Sequence, residues 1–445
     1  APHSGDTATL PPPATETSGD TPAETAKNKV RGKRKPLPVE LPRIELIHDV
    51  PQTERTCACG TPMVEIGQDV SEQLDIVPMQ VRVLRHIRKR YGCPKGDQAP
   101  ISAPVPAQVL PKSNASNDLL AMLLVTKYVD GLPLARFEYV LARAGVTVPR
   151  QTLARWVIGT AQALQPIANL MSDVLLGHDV IHMDETPVQV LKEPGRAATS
   201  KSQMWVQRGG PPGRPVILFE YDPSRAQAVP LRLLEGWKGH LMADGLESYG
   251  AIAFCEGVTR LGCWAHARRK FDEALAENKK LATEALLQIQ SLYAVEREAD
   301  QMGATPEQRR ELRRNKAYPI LVTFEKWLYD NYATLLPQSR TAKAISYTYS
   351  IFPKLSRYHL NGRYRIDNNL VENAIRPLAI GRKNYLFCGN SDAAIRASMI
   401  YSLLGSCKAA GVNPSEWLED ILSKVYSYTK ENRNLEELLP HLWKK

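Results

Sequence analysis

At Asp179 the apolar side chains of this chain stop recurring at helical spacing and begin to recur at strand spacing, and no other feature constrains the fold as much. Upstream, residues 116–176 read as helices, broken at Gly131-Leu-Pro and again at Gly145-Val-Thr-Val-Pro. Downstream come strand-like runs over 180–191, 203–207 and 215–221, an amphipathic stretch over 225–234, a strand running into Ala243-Asp244, and another over 258–264. Three strands in succession, then strands separated by helical segments, predict an α/β core. Residues 266–350 read as almost wholly helical, so an insertion interrupts that core before the chain returns to it.

Three carboxylates fall where such a core could gather them. Asp184 follows Asp179-Val-Ile-His-Met, Asp244 follows Gly239-His-Leu-Met-Ala, and Glu372 lies in Asn368-Asn-Leu-Val-Glu-Asn-Ala-Ile-Arg-Pro. Acids that end apolar strands, with a third on a basic helix, are a donor set for two divalent cations over a phosphodiester. Clustered carboxylates repel one another, so a fold that gathers them is expected to fill the gap with cations, and hard oxygen ligands favour magnesium or manganese. Strand alternation puts His182 on the face of Asp184 and Glu185 on the other, which selects Asp184 as the ligand. Blander readings stand beside these. Asp184 could open a turn, Asp244-Gly245 is a common turn dipeptide, and Glu372 with Arg376 is an i,i+4 ion pair.

The charge balance, 57 Lys+Arg against 47 Asp+Glu, fits a polyanionic partner. Arg150, Gln151 and Arg155 fall opposite the apolar stripe Leu153, Trp156, Val157 and Ala161, an arrangement shared by a helix-turn-helix and by an ordinary helical hairpin. In Cys263-Trp-Ala-His-Ala-Arg-Arg-Lys, His266 either approaches the reacting phosphate or holds a structural helix start, while Arg268, Arg269 and Lys270 are candidates for DNA phosphates. Arg376, Arg382 and Lys383 extend that basic surface. Residues 77–88 alternate apolar and basic residues, which predicts a strand with a wet basic face.

The seven cysteines are odd in number and scattered, which points away from a disulfide framework and toward a reducing cytoplasm. Cys255, Cys263, Cys388 and Cys407 show no paired metal spacing and are expected in the core. No apolar run reaches the roughly 18 residues needed to cross a bilayer. Residues 1–38, rich in Pro, Thr, Ala, Glu and Lys, read as a disordered tail with a basic end. Ala1 is not an initiator Met, so a truncated or processed N-terminus is expected.

Four blocks taken together resemble the transposases of the IS66 family of bacterial insertion sequences: His182-Met-Asp-Glu-Thr-Pro-Val, Ala243-Asp-Gly, Cys263-Trp-Ala-His-Ala-Arg-Arg-Lys-Phe, and Asp367-Asn-Asn-Leu-Val-Glu-Asn-Ala-Ile-Arg-Pro with Gly381-Arg-Lys-Asn-Tyr-Leu-Phe after it. The resemblance runs from about Glu45 to the C-terminus. It implies a ribonuclease-H-like mixed-sheet core carrying a DDE triad at Asp184, Asp244 and Glu372, with two Mg2+ or Mn2+ ions as cofactors. It also implies an N-terminal coiled coil, of which no leucine heptad is seen, and a small zinc-binding module. Here the module's cysteine pattern is incomplete. Cys59 and Cys93 match two positions, Thr56 and Gly96 occupy the others, and Cys57 could serve by a shift of one, so zinc stays open.

The expected boundaries are 1–38 for the tail, 39–105 for the β-rich module, 116–176 for the helical domain, 177–272 with 352–390 for the core, 273–351 for the insertion, and 391–445 for C-terminal helices. The expected function is metal-dependent 3′-end cleavage and strand transfer of an insertion sequence. The expected enzyme is a homo-oligomer, cytoplasmic and nucleoid-associated, acting on double-stranded element ends and target, with room for accessory proteins of the same element. Two rivals remain: a nuclease that cuts without joining, and a catalytically silent DNA-binding relic.

Overall fold

The computed structural model describes residues 108–444 except 212, together with parts of 43–103. The chain divides into two compact units, residues 1–79 and residues 80–445. The first ladder among the described residues is short, β1 (Arg90–Tyr91) antiparallel to β2 (Ile101–Ser102). The strand expected over 77–88 does not form in its described part, where residues 79–88 carry no ladder and Val83 is 91% exposed. Alternation yields a strand only where a partner strand and an apolar layer receive it, and among the described residues neither does.

Three helices follow: α1 (Asn117–Tyr128), α2 (Leu134–Arg143) and α3 (Arg150–Leu176). Ser116 caps α1 by accepting the Leu119 N–H, and Gly145, at φ +79°, supplies the left-handed residue that stops the chain after α2. Along α3, Leu153, Trp156, Val157, Ala161, Leu164, Ile167, Met171 and Leu175 are buried at three- and four-residue steps. Their stripe belongs to the same hydrophobic core as the sheet and the C-terminal helices, so α3 is a layer laid on the sheet.

The sheet comprises β3 (Val180–Lys192), β4 (Lys201–Gly209), β5 (Val216–Asp222), then, after α4 (Ala228–Leu233), β6 (Gly239–Met242) and β7 (Val258–Leu261). Its order is β5-β4-β3-β6-β7. The first three strands pair antiparallel, whereas β6 is parallel to β3 and β7 is parallel to β6. The short links from β3 to β4 and from β4 to β5 make the antiparallel half, and the crossover through α4 followed by the link over 243–257 makes the parallel half. The expected α/β class is therefore what the chain adopts.

From β7 the chain enters α5 (Trp264–Ala274), α6 (Lys279–Gln301), α7 (Pro306–Leu312), a π-helical turn (Arg313–Ala317), α8 (Tyr318–Tyr332), α9 (Arg340–Ser350) and α10 (Phe352–Ser356). These helices build a second core, in which Trp264 stacks on Phe324 and meets Phe352 edge-on. Arg313 is fully buried at the π turn, gripping Glu296 through Nε and Nη2 and donating to the carbonyls of Tyr358, Asn361 and Tyr364. The insertion thus fixes the loop by which the chain returns to the sheet.

That return runs through α11 (Asn369–Tyr385), β8 (Cys388–Asn390), which pairs with the far end of β3, then α12 (Ser391–Ala409) and α13 (Pro414–Lys430). The edge strand β5 is covered by α12: Ser402 and Ser406 accept the backbone N–H groups of Phe219 and Ile217 at 2.7 and 2.9 Å. A helix with serines one turn apart therefore satisfies an edge that would otherwise pair with another chain. No helix among the described residues is long and apolar enough to cross a membrane.

Candidate active site

The parallel pairing of β3 with β6 ends at His182 opposite Met242. Asp184 and Asp244 each lie two residues beyond that pair, so they share a level and a side of the sheet, with strand axes about 4.8 Å apart. Asp184 is inside β3 and not at its end as expected, because pairing with β4 carries the strand on to Lys192. Asp244 leaves the sheet in a tight turn, its Oδ1 accepting the Leu246 N–H at 2.9 Å. Gly245 is needed there for close approach: a Cβ would stand 2.6 Å from the ring of Tyr347, whose hydroxyl accepts the Gly245 N–H. Tyr347, from the helical insertion, occupies that space.

Glu372 reaches the same place through Asn368, a fully buried side chain at the start of α11. Its Nδ2 donates to the Met183 carbonyl at 2.9 Å, its Oδ1 meets Nδ1 of His182 at 3.0 Å, and its backbone N–H points at Sγ of Cys263 at 3.2 Å. Glu372 stands one turn later, and its backbone N–H donates to the Asn368 carbonyl. Asn368 therefore ties the helix bearing the third acid to the strand bearing the first. Burial holds His182 down to about 4, so this contact is made by a neutral imidazole.

A cavity of about 610 Å3 is lined by Asp184, Asp244 and Glu372 together with Glu185, Arg225, His266, Arg269 and Arg376. Glu185, buried beside Asp184, is held by Arg225 at 2.5 Å and by the Tyr249 hydroxyl at 2.7 Å. Buried Arg260 braces Asp244 from behind, donating to its carbonyl at 2.9 Å and to the Tyr249 carbonyl. Arg225, Tyr249, Arg260 and Asn368 escaped the sequence reading, since one arginine or asparagine in a basic chain carries no local sign of burial.

Burial, then the neighbouring Glu185, Asp244 and Glu372 carboxylates, pushes Asp184 from its ordinary 3.8 up to about 7. A carboxyl that resists ionisation only when folded costs no stability below about pH 4 and opposes folding fully above about pH 7. The metal-free Asp184→Asn variant is therefore expected to melt above wild type at pH 8, by about 1–2 kcal/mol of stability for this half-buried group, with the difference vanishing near pH 4. Melting curves at the two pH values check this. A pH-independent difference would contradict the crowding of carboxylates. The Oε1 atom of Glu372 is also buried without a hydrogen-bond partner among the described residues. An orphaned oxygen and a carboxyl reluctant to ionise are both relieved by a cation, so the oxygen donor set fits a hard divalent ion.

Among the expected DNA contacts, Arg269 pairs with Glu372 at 3.7 Å, Arg376 lines the cavity, and Lys383 is exposed farther along α11. A second cavity shares Arg269 and Asn369 with the first and adds Arg268 and Arg297, though Arg268 also pairs with Asp272. Lys270 lies over the Tyr347 ring, and Arg382 is engaged by Thr186 and the Pro187 carbonyl of β3. Arg150, Gln151 and Arg155 are exposed at the start of α3 and do not line the carboxylate cavity. Cys57 and Cys93 lie outside the described residues, while Cys59 is exposed and donates from Sγ to Thr61 Oγ1. Cys263, Cys388 and Cys407 are buried as expected, but Cys255 is exposed, because it follows two short surface turns after β6.

Family profiles match nearly the whole of this arrangement. The transposase IS66 family profile spans residues 112–396, the zinc-finger binding domain of transposase IS66 spans 54–95, and the IS66 C-terminal element spans 402–441. Among curated relatives, the uncharacterized protein y4jD of Sinorhizobium fredii is 32% identical across 99% of this chain and 88% of its own length. The uncharacterized protein y4qI of the same organism is 33% identical across 88% of this chain and 74% of its own. With the transposase stretch, the N-terminal module and the C-terminal element all matched, the chain belongs to the IS66 family of transposases.

Proposed function

We propose that this protein is a DDE-type DNA transposase that cleaves the 3′ ends of an insertion sequence and joins them to target DNA, with Asp184, Asp244 and Glu372 as its catalytic carboxylates. One observation carries it: three acids from separate parts of the chain line one cavity whose remaining walls bear Arg225, Arg269 and Arg376. Acids alone would repel a phosphodiester, and guanidiniums alone would bind it without a place for cations. Together they suit a scissile phosphate and the ions that activate it. The order β5-β4-β3-β6-β7, antiparallel then parallel, supports a ribonuclease-H-like core.

The three carboxylates would hold two magnesium ions, which supply Lewis-acid stabilisation of the attacking and leaving oxygens. The chain's own residues do the rest. Asn368 sets Glu372 against β3, Arg260 and the Gly245 turn fix Asp244, and Arg269 and Arg376 orient the phosphate backbone. Exposed Arg150, Gln151 and Arg155 on α3 are the proposed contacts to duplex element ends, which are bound by a homo-oligomer because two ends must be processed together.

Incubating the protein with plasmid, Mg2+ and pre-nicked DNA from the borders of its encoding element is expected to yield joined strand-transfer product. Cutting without joining would mean the nuclease, and retarded DNA that is neither cut nor joined would mean the silent relic.

A further inference from the structure

Cys263, His266 and Glu372 offer one ligand atom each, and these atoms lie within 4.8 Å of one another. Cys263 occupies the position before α5, and His266 follows one turn later on that helix. Glu372 enters from α11. Nδ1 of His266 and Oε1 of Glu372 are 3.7 Å apart, each buried and without a hydrogen-bond partner among the described residues. That separation is too long for a hydrogen bond between them, and leaving both atoms unsatisfied is costly. Arg269 makes its closest approach, 3.7 Å, to the other oxygen of Glu372.

We propose that these three residues form a binding site for zinc, distinct in chemistry from the all-oxygen set of the neighbouring carboxylates. Zinc bonds of about 2.0–2.3 Å place ligand atoms of a tetrahedral site roughly 3.3–3.8 Å apart, so the cluster needs only a small contraction. Thiolate with imidazole selects zinc over magnesium and calcium. The Asn368 N–H directed at Sγ is the kind of contact that orients a thiolate ligand. Binding releases the Cys263 S–H proton to solvent as the sulfur–zinc bond forms. Three protein ligands leave a fourth position for water. Glu372 cannot serve both sites at once, so zinc opposes the magnesium-dependent joining. This last step rests on the function proposed above.

The test uses the full chain with Cys57, Cys59 and Cys93 each changed to Ser, which removes the other thiol ligands of the N-terminal module. Cobalt titrated into the chelator-stripped protein is expected to give a near-ultraviolet thiolate-to-metal band that saturates at one equivalent, and Zn2+ is expected to displace it. Adding Cys263→Ser or His266→Gln should abolish the band, the second variant guarding against misfolding of the first. No band in the parent, or an equal band in the His266→Gln protein, overturns the site whether or not the protein joins DNA. Where joining is observed, Zn2+ is expected to slow it in the parent but not in Cys263→Ser. Equal slowing in both overturns the competition.

Discussion

Asp184→Asn is expected to reduce magnesium-dependent end cleavage and strand transfer by at least about 10³-fold, roughly 4 kcal/mol of barrier, while element-end binding in a gel shift stays near wild type. Asparagine keeps the shape and the ability to accept the Glu185 N–H, so β3 and its pairing with β4 survive. What it removes is the negative charge facing Asp244 and Glu372, and with it a hard ligand. Glu372→Gln should act alike, through the acid that Asn368 carries to the cavity. Cleavage at the wild-type rate in either variant would remove that residue from the chemistry. Loss of end binding together with cleavage would instead mean a damaged fold.

The second large effect is structural. Arg313→Ala should cost about 3–5 kcal/mol, read as a fall in the denaturation midpoint, because it strands groups that only a buried guanidinium can satisfy. Glu296 would keep Arg309 as a partner, and the carbonyls of Tyr358, Asn361 and Tyr364 would each lose a donor. Those carbonyls belong to the loop that leads into α11. Tyr293 grips the same segment at Asp367, and the Trp264 N–H donates to the Ile366 carbonyl. DNA joining should therefore fall in the variant even at temperatures where it remains folded. Arg313→Lys, with one ammonium in place of a planar fork, should recover only part of the stability. A near-neutral Arg313→Ala would mean that the insertion does not brace the return of the chain.

Much of the sheet was legible because strand periodicity is local. The segments over 180–191, 203–207 and 215–221 match β3, β4 and β5 with boundary shifts of a residue or two. The same signal failed over 77–88, where alternation met no apolar layer among the described residues. Pro187 does not interrupt β3, because it keeps its place opposite Gln203 in the ladder. The three acids could be picked out by residue type and local context. Their supports could not, because Arg225, Arg260 and Asn368 act across large sequence separations that leave no periodic trace.

By itself, the sequence determined the alternation of strands and helices, the basic balance, and the ordered blocks that mark the family, because each depends on residues near one another along the chain. Only the tertiary structure decided that Asp184 and Asp244 stand side by side, that Tyr347 fills the space at Gly245, and that Glu372 faces both carboxylates and Cys263 with His266. Those outcomes follow from the parallel register of β3 with β6 and from a buried arginine and asparagine that anchor a distant helix. Such contacts gain their strength from burial, and burial is a property of the packed chain, not of any segment of it.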